Sequence, residues 1–231
     1  MFSGFTDDTV QFFMDLKFHN STTWFHENHD EYVRCVQKPF YEMIEDLGPD
    51  MKTIDPLMEI RPHKCISRIH RDTRFSNDKS PYRDHLWYIF RHEGEPRDLS
   101  INYFFEFGPG RLNWGLGFWG ENRPAMDLFR ARIVARPEGI ATLIRDCDLP
   151  GHFMAPEGNV FKRIPIPEEV PEELKRWYIS RDLYICKVLP DYKMSFTEKL
   201  AEEVRKDFLA LGPIYRLFRG YYEDTVSLEE K

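Results

Sequence analysis

Apolar and polar positions alternate in two stretches between residues 99 and 119. Leu99, Ile101, Tyr103, Phe105 and Phe107 fall on one side of "LSINYFFEF", and Leu112, Trp114, Leu116 and Phe118 on one side of "LNWGLGFW". A period of two predicts half-buried strands, and the intervening "GPGR" predicts a hairpin. "HLWYIFRH" ahead of "EGEPRD" reads as another strand, so an antiparallel meander is expected over about residues 64–119. "RDLYICKVL" adds a later strand. The opposite faces carry Ser100, Asn102, Phe104 and Glu106, then Asn113, Gly115, Gly117 and Trp119. Two glycines on one face leave room for something to approach the backbone.

Outside this region the period is helical. Thr6 with Asp7 and Asp8 predicts a helix start, with Phe5 and Val10 as a hydrophobic staple. Residues 21–37 read as a second helix with Trp24, Asn28 and Tyr32 on one face. Pro39 breaks or restarts it, and the continuation is expected to end at Gly48-Pro49. Residues 123–146 predict a helix broken at Pro137, and 151–175 a loop rich in proline and acids. Ser195 to Glu198 has the spacing of a capping box before Leu200, Val204, Phe208 and Leu211, and Gly212-Pro213 ends that helix. "IYRLFRGYYED" is a last amphipathic piece. Without repeats or a clear linker, the expectation is a single α+β domain over residues 1–231, its meander packed with N- and C-terminal helices.

Composition supports a folded core. The chain has 231 residues, 42% of them hydrophobic and 15% aromatic, enough large rings to bury a sizeable interior. No apolar run approaches the ~20 residues of a membrane span, and the acidic start is unlike an export signal. Cys35, Cys65, Cys147 and Cys186 are widely spaced. That suits free thiols in the cytoplasm better than disulfides or a zinc site.

Charge is unevenly spread. Residues 61–91 hold eight basic and three acidic residues, a net of +5, whereas the rest holds 24 bases against 36 acids. A basic island on an acidic body suits a small anion held in a focused pocket. Nucleic acid needs an extended basic face, so neither nucleic acid nor membrane is an expected partner.

The island centres on "SRIHRDTRFSNDKSPYRDH", residues 67–85. His70-Arg71-Asp72 with Asn77 matches the spacing of a kinase catalytic loop. The preceding residues hold no glycine-rich loop and no D-F-G follows, so the phosphate and metal holders of a kinase are missing. His26 and His29 stand one helical turn apart, but no further ligands complete a metal site with recognisable spacing, and no metal is expected.

"SNDKSP" is turn chemistry, so Arg68, Arg71 and Arg74 are expected to converge from a loop. Converging guanidiniums recognise phosphate or carboxylate through paired hydrogen bonds. Lys79 adds a point charge and Tyr82 a hydroxyl. Asp78 joins the same set. Asp72 is the candidate catalytic base or orienter. Asn102 and Asn113 are candidates to orient a ligand, and Gly117 to leave it space. Three readings stay open: an enzyme acting on a small anionic substrate, a non-catalytic binding module, and an ion-pair network with function elsewhere. No cofactor and no oligomeric state follow from the residues.

The segment from Arg68 to Tyr82 resembles the signature of a bacterial conserved-hypothetical family, a domain of unknown function. Arg68, Arg71, Asp72, Arg74, Phe75, Asp78, Lys79 and Tyr82 carry the likeness. "NSTTWFHENHDEY" resembles the family's N-terminal helix, with Trp24, Phe25, Asn28 and Tyr32 in place, and "GLGFW" and "LFRARI" its later strand and helix, with Gly117 and Arg130 in place. Arg130 joins the ligand-binding set through this resemblance. "FKRIPIP" departs at Ile166, where glycine is usual, and His29 stands where arginine is usual. The resemblance implies no activity.

Overall fold

The computed structural model describes residues 1–74, 76–147, 153–154, 159–187 and 190–229. Phe75 of the basic segment, residues 151–152 and 155–158 of the expected 151–175 loop and the end of "RDLYICKVL" lie outside the described residues. The fold is α+β, and the chain divides into two compact units. The first comprises residues 1–90, 104–114 and 189–206, and the second residues 91–103, 115–188 and 207–231.

In the first unit, α1 (Asp7–Phe18) begins after Thr6, whose backbone N–H donates to the Thr9 hydroxyl at 3.1 Å. Phe5, just before this start, is buried. Its ring stacks on Phe107 at 4.1 Å, within a buried cluster that also holds Phe40, Tyr88, Phe105 and Trp114. Burying a ring of this size stabilises by about 1.5–3 kcal/mol.

The expected helix over 21–37 is in three pieces. They are α2 (Thr22–Glu27), α3 (His29–Glu31) and a π-helical segment, Tyr32–Gln37, which leads into α4 (Lys38–Ile54). Two side chains explain the interruptions. The Asn28 amide donates to the Trp24 carbonyl at 2.8 Å, and the buried Thr9 hydroxyl donates to the Cys35 carbonyl at 2.7 Å. Both side chains compete with the helix's own backbone bonds. Pro39 sits in the first turn of α4, where its missing N–H is tolerated. That helix passes through Pro49 because Leu47, Met51 and Ile54 continue one buried face. A short helix α5 (Pro62–Cys65) follows.

Strands β1 (Leu86–Phe90), β2 (Asn102–Gly108) and β3 (Arg111–Gly117) match the alternation. Leu99 is the exception. It lies in the turn before β2 and is 47% exposed. With β4 (Phe153–Met154) and β5 (Tyr184–Lys187) the strands form one sheet in the order β1-β2-β3-β5-β4. Gly110, at φ +69°, makes the turn between β2 and β3.

In the second unit, β5 runs antiparallel to the end of β3, pairing Gly115 with Cys186 and Gly117 with Tyr184. The helices are α6 (Arg123–Ala135), α7 (Pro137–Asp146), α8 (Glu172–Ile179), the end of α9 (Lys199–Ala210) and α10 (Gly212–Glu229). The break expected at Pro137 separates α6 from α7. Phe118, Phe129 and Phe218 form one ring cluster, and Tyr103, Phe208 and Tyr215 another. Ahead of α9, in the first unit, Ser195 does not form the expected capping box. It lies in a 3-10 turn, Tyr192–Phe196, and its hydroxyl donates back to the Tyr192 carbonyl at 2.6 Å. No described helix is long and apolar enough to cross a membrane.

Candidate functional site

The basic segment folds back on itself within the first unit. Its outgoing arm pairs antiparallel with its return arm through bridges Ile66–Tyr88 and His70–Tyr82. Backbone bonds run from Ser67 to Trp87 (2.8 Å), from Arg71 to Pro81 (2.8 Å) and from Arg83 to Ile69 (3.0 Å). Three residues lie between the bridges on the outgoing arm and five on the return arm, so the return arm carries a two-residue bulge. Asp84 and His85 occupy that stretch.

The hairpin is anchored beneath. The Asn20 amide donates to the Tyr82 carbonyl and accepts from the Tyr82 N–H, both at 3.0 Å. The Tyr82 ring stacks on Phe25 at 4.3 Å, and both are buried. Tyr82 is therefore a core anchor, and its ring packs into the unit's interior.

At the tip the charges pair locally. Asp72 accepts from Arg74 three times: Nε at 3.0 Å and the backbone N–H at 3.1 Å reach Oδ1, and Nη2 at 2.7 Å reaches Oδ2. Arg71 bonds Asp78, whose other oxygen accepts from the Ser80 N–H at 2.9 Å. Lys79 donates to the Thr73 carbonyl at 2.8 Å. The Arg74 bonds hold the Asp72 carboxyl down at about 2. Ser80, and then Arg71, hold Asp78 at about 2. A carboxylate with so low a pKa is a weak proton acceptor, and both Asp72 oxygens already face Arg74. Its geometry is that of an anchor for Arg74. Arg68 is exposed, with no ion pair among the described residues.

A cleft of about 530 Å³ opens beside the hairpin. Arg71, Asp72, Ser76, Asp78, Arg83, Asp84 and His85 line it, joined by Lys17 from α1 and Arg111 from β3. Four cations thus meet three carboxylates there. Arg83 differs from the other cations. Its guanidinium donates to two backbone carbonyls, those of Arg68 (3.2 Å) and His70, and lies 4.8 Å from the centre of the Trp87 ring. Burial lowers its pKa and the like charge of Arg71 lowers it further, with Asp72 opposing.

A second chain of polar contacts borders the cleft. Lys17 Nζ lies 3.2 Å from Asp84 Oδ2, and Asp84 Oδ1 lies 2.9 Å from His85 Nδ1. His85 Nε2 is 3.4 Å from Glu106 Oε1, and Arg111 Nη1 is 3.4 Å from that same oxygen. Burial works to raise the Asp84 carboxyl, but His85 and Lys17 outweigh it and hold the group below its ordinary value. Gly108 lets this layer form. A Cβ there would lie 2.6 Å from the Cβ of His85 and 2.9 Å from the Asp84 carbonyl oxygen.

The remaining sequence candidates lie elsewhere. Asn113 is half-buried on β3 and does not line the cleft. Asn102, Gly117 and Arg130 belong to the second unit. There the Asn102 amide donates to the Ser100 carbonyl at 2.8 Å, and Arg130 is held by the Ser180 carbonyl at 2.9 Å and Asp127 at 2.6 Å. The room expected beside Gly117 is filled by the chain itself, since a Cβ there would lie 2.7 Å from the Leu183 carbonyl oxygen. Lys17, Arg83, Asp84, His85, Glu106 and Arg111 were not among the sequence candidates. Of these, Arg83, Asp84 and His85 stand within the basic segment itself.

No group of three or more His, Cys, Asp or Glu side chains suited to a metal occurs among the described residues. Burial raises the Cys35 thiol to about 11 and pushes Cys147 up as well, which suits inert core thiols. No curated protein and no solved structure shows a significant match to the chain. A family profile described as a conserved hypothetical protein does match, over residues 8–217, and so takes in most of each unit and the whole basic hairpin. The chain belongs to that conserved hypothetical family, DUF2461.

Proposed function

We propose that the first unit binds a small phosphate- or carboxylate-bearing ligand in the cleft between the hairpin, α1 and β3. The observation that carries this is the juxtaposition of Arg71 and Arg83. Two guanidiniums repel each other in a partly desolvated cleft, and Arg83 is satisfied by carbonyls instead of a carboxylate. A bound anion would supply the missing counter-charge, and arginine's planar fork suits phosphate and carboxylate oxygens. A volume of about 530 Å³ accommodates a metabolite-sized molecule. The confined cleft and the free cysteines fit a cytoplasmic protein with a small-molecule partner better than one bound to nucleic acid or membrane.

The test is thermal unfolding in phosphate or sulfate against chloride at matched ionic strength. A ligand at 100 times its dissociation constant stabilises by about 2.7 kcal/mol. The parent's midpoint should rise, and an Arg83→Gln/Arg111→Gln variant should lose most of that gain. Equal shifts in both would refute anion binding. The Arg74–Asp72 and Arg71–Asp78 pairs favour a second reading, in which the hairpin is a self-contained ion-pair network. In that case phosphate does no more than chloride.

A further inference from the structure

We infer that His85 is the proton-transfer group of this cleft and Asp84 its positioning residue, acting on a hydroxyl or water beside the bound anion. The inference rests on the anion-binding reading and extends it to a reaction class. It starts from the two-residue bulge, which sets Asp84 and His85 against the cleft, while Gly108 removes the side chain that would displace them. His85 is only 18% exposed, so packing fixes its ring.

The Asp84 carboxylate accepts from Nδ1–H at 2.9 Å. In the neutral ring this bond places the proton on Nδ1 and the lone pair on Nε2. A hydroxyl donated to Nε2 would lose its proton there: the O–H bond breaks, an N–H bond forms, and the electron pair stays on oxygen. Asp84 then faces an imidazolium, while the oxygen's new charge faces the cleft's cations. Glu106 Oε1, 3.4 Å from Nε2, is a second negative charge facing that imidazolium. Base, orienting carboxylate and cationic stabilisers thus border one cavity, the arrangement general acid–base chemistry requires. Asp72 instead holds Arg74 through both of its oxygens. The substrate class is a small anion carrying an ionisable hydroxyl, or an anionic ester open to attack by water.

Diethyl pyrocarbonate acylates unprotonated imidazole and reads the reactivity of Nε2 without a known substrate. Modification of each histidine is followed by peptide mass mapping, with the other histidines as internal references. On the alkaline plateau of each protein's pH–rate curve, where the ring is unprotonated in both, Asp84→Asn should slow acylation of His85 by about tenfold, and Asp84→Glu should restore it. Inorganic phosphate at about ten times its dissociation constant should slow it by about tenfold in the parent, whereas chloride should not. Lack of acylation at His85, or equal rates in parent and Asp84→Asn, would overturn the inference. So would phosphate that binds by calorimetry yet leaves His85 unprotected. If phosphate fails to bind while the Asp84 dependence holds, the pair stands and the anion reading falls.

Discussion

Gly115→Ala should weaken the second unit severely. A Cβ on residue 115 would lie 1.8 Å from the Ile185 carbonyl oxygen and 2.8 Å from its carbonyl carbon. Ordinary contact begins near 3.4 Å, so β5 must retreat by more than an ångström from its register with β3. Both obstacles are backbone and cannot rotate away. Overpacking of this kind costs about 1–3 kcal/mol. Stretching one or two ladder bonds beyond their range adds about 0.5–1.5 kcal/mol each. The reduced freedom of the unfolded chain returns about 0.4–1 kcal/mol. A net loss of about 3 kcal/mol is expected. Urea unfolding followed by tryptophan fluorescence measures it, and with a slope near 2 kcal/mol/M the midpoint should fall by about 1.5 M. Gly120→Ala is the control, because nothing lies within 4 Å of its added carbon, and it should stay within about 0.5 kcal/mol of the parent. A Gly115→Ala protein as stable as that control would refute the close approach of β5.

Asn20→Ala removes both bonds to the Tyr82 backbone and should cost about 2–3 kcal/mol in urea unfolding, with faster hydrogen exchange at Tyr82 as the local signature. Thr9→Val leaves the Cys35 carbonyl without its buried donor and should cost about 1–3 kcal/mol, measured the same way. Glu59 accepts from the Arg61 side chain and backbone and is held at about 2, chiefly by the side-chain bond. Its stabilising effect, about 1 kcal/mol at neutral pH, is fully present above pH 4.5 and drains away as pH falls toward 2. The stability gap between parent and Glu59→Gln should close across that window, and a gap independent of pH would contradict the assignment.

What the sequence revealed followed from how local each signal was. The alternation over β2 and β3 needs only neighbouring residues, and Tyr103, Phe105, Trp114 and Leu116 are buried as it requires. The helix break at Pro137 is equally local. The π-helical segment is not, because the hydroxyl that meets Cys35 arrives from Thr9, 26 residues earlier. The run of α4 through Pro49 likewise needed the buried face beyond it. In the hairpin, the turn residues and the crowd of charges were visible, and an ion-pair network was one of the readings they left open. The cleft was not visible. Lys17 and Arg111 reach it from α1 and β3, and nothing in their own sequence surroundings marks them. Gly115 and Gly117 were read as room for a ligand, and the room is taken by the chain's own β5 and Leu183.

The bulge in the return arm is two residues long, and that length matters to how such a protein can evolve. Strand side chains alternate, so a gain of one residue turns everything beyond it over, whereas a gain of two restores the original facing. Tyr82 and Tyr88, on either side of the bulge, both point into the interior at 2% and 0% exposure. Asp84 and His85 are thus lodged in a segment that an ancestral hairpin could acquire, or a descendant lose, without disturbing either anchor. Relatives that keep both tyrosines but shorten the arm by two residues would keep the fold and lack the aspartate–histidine pair.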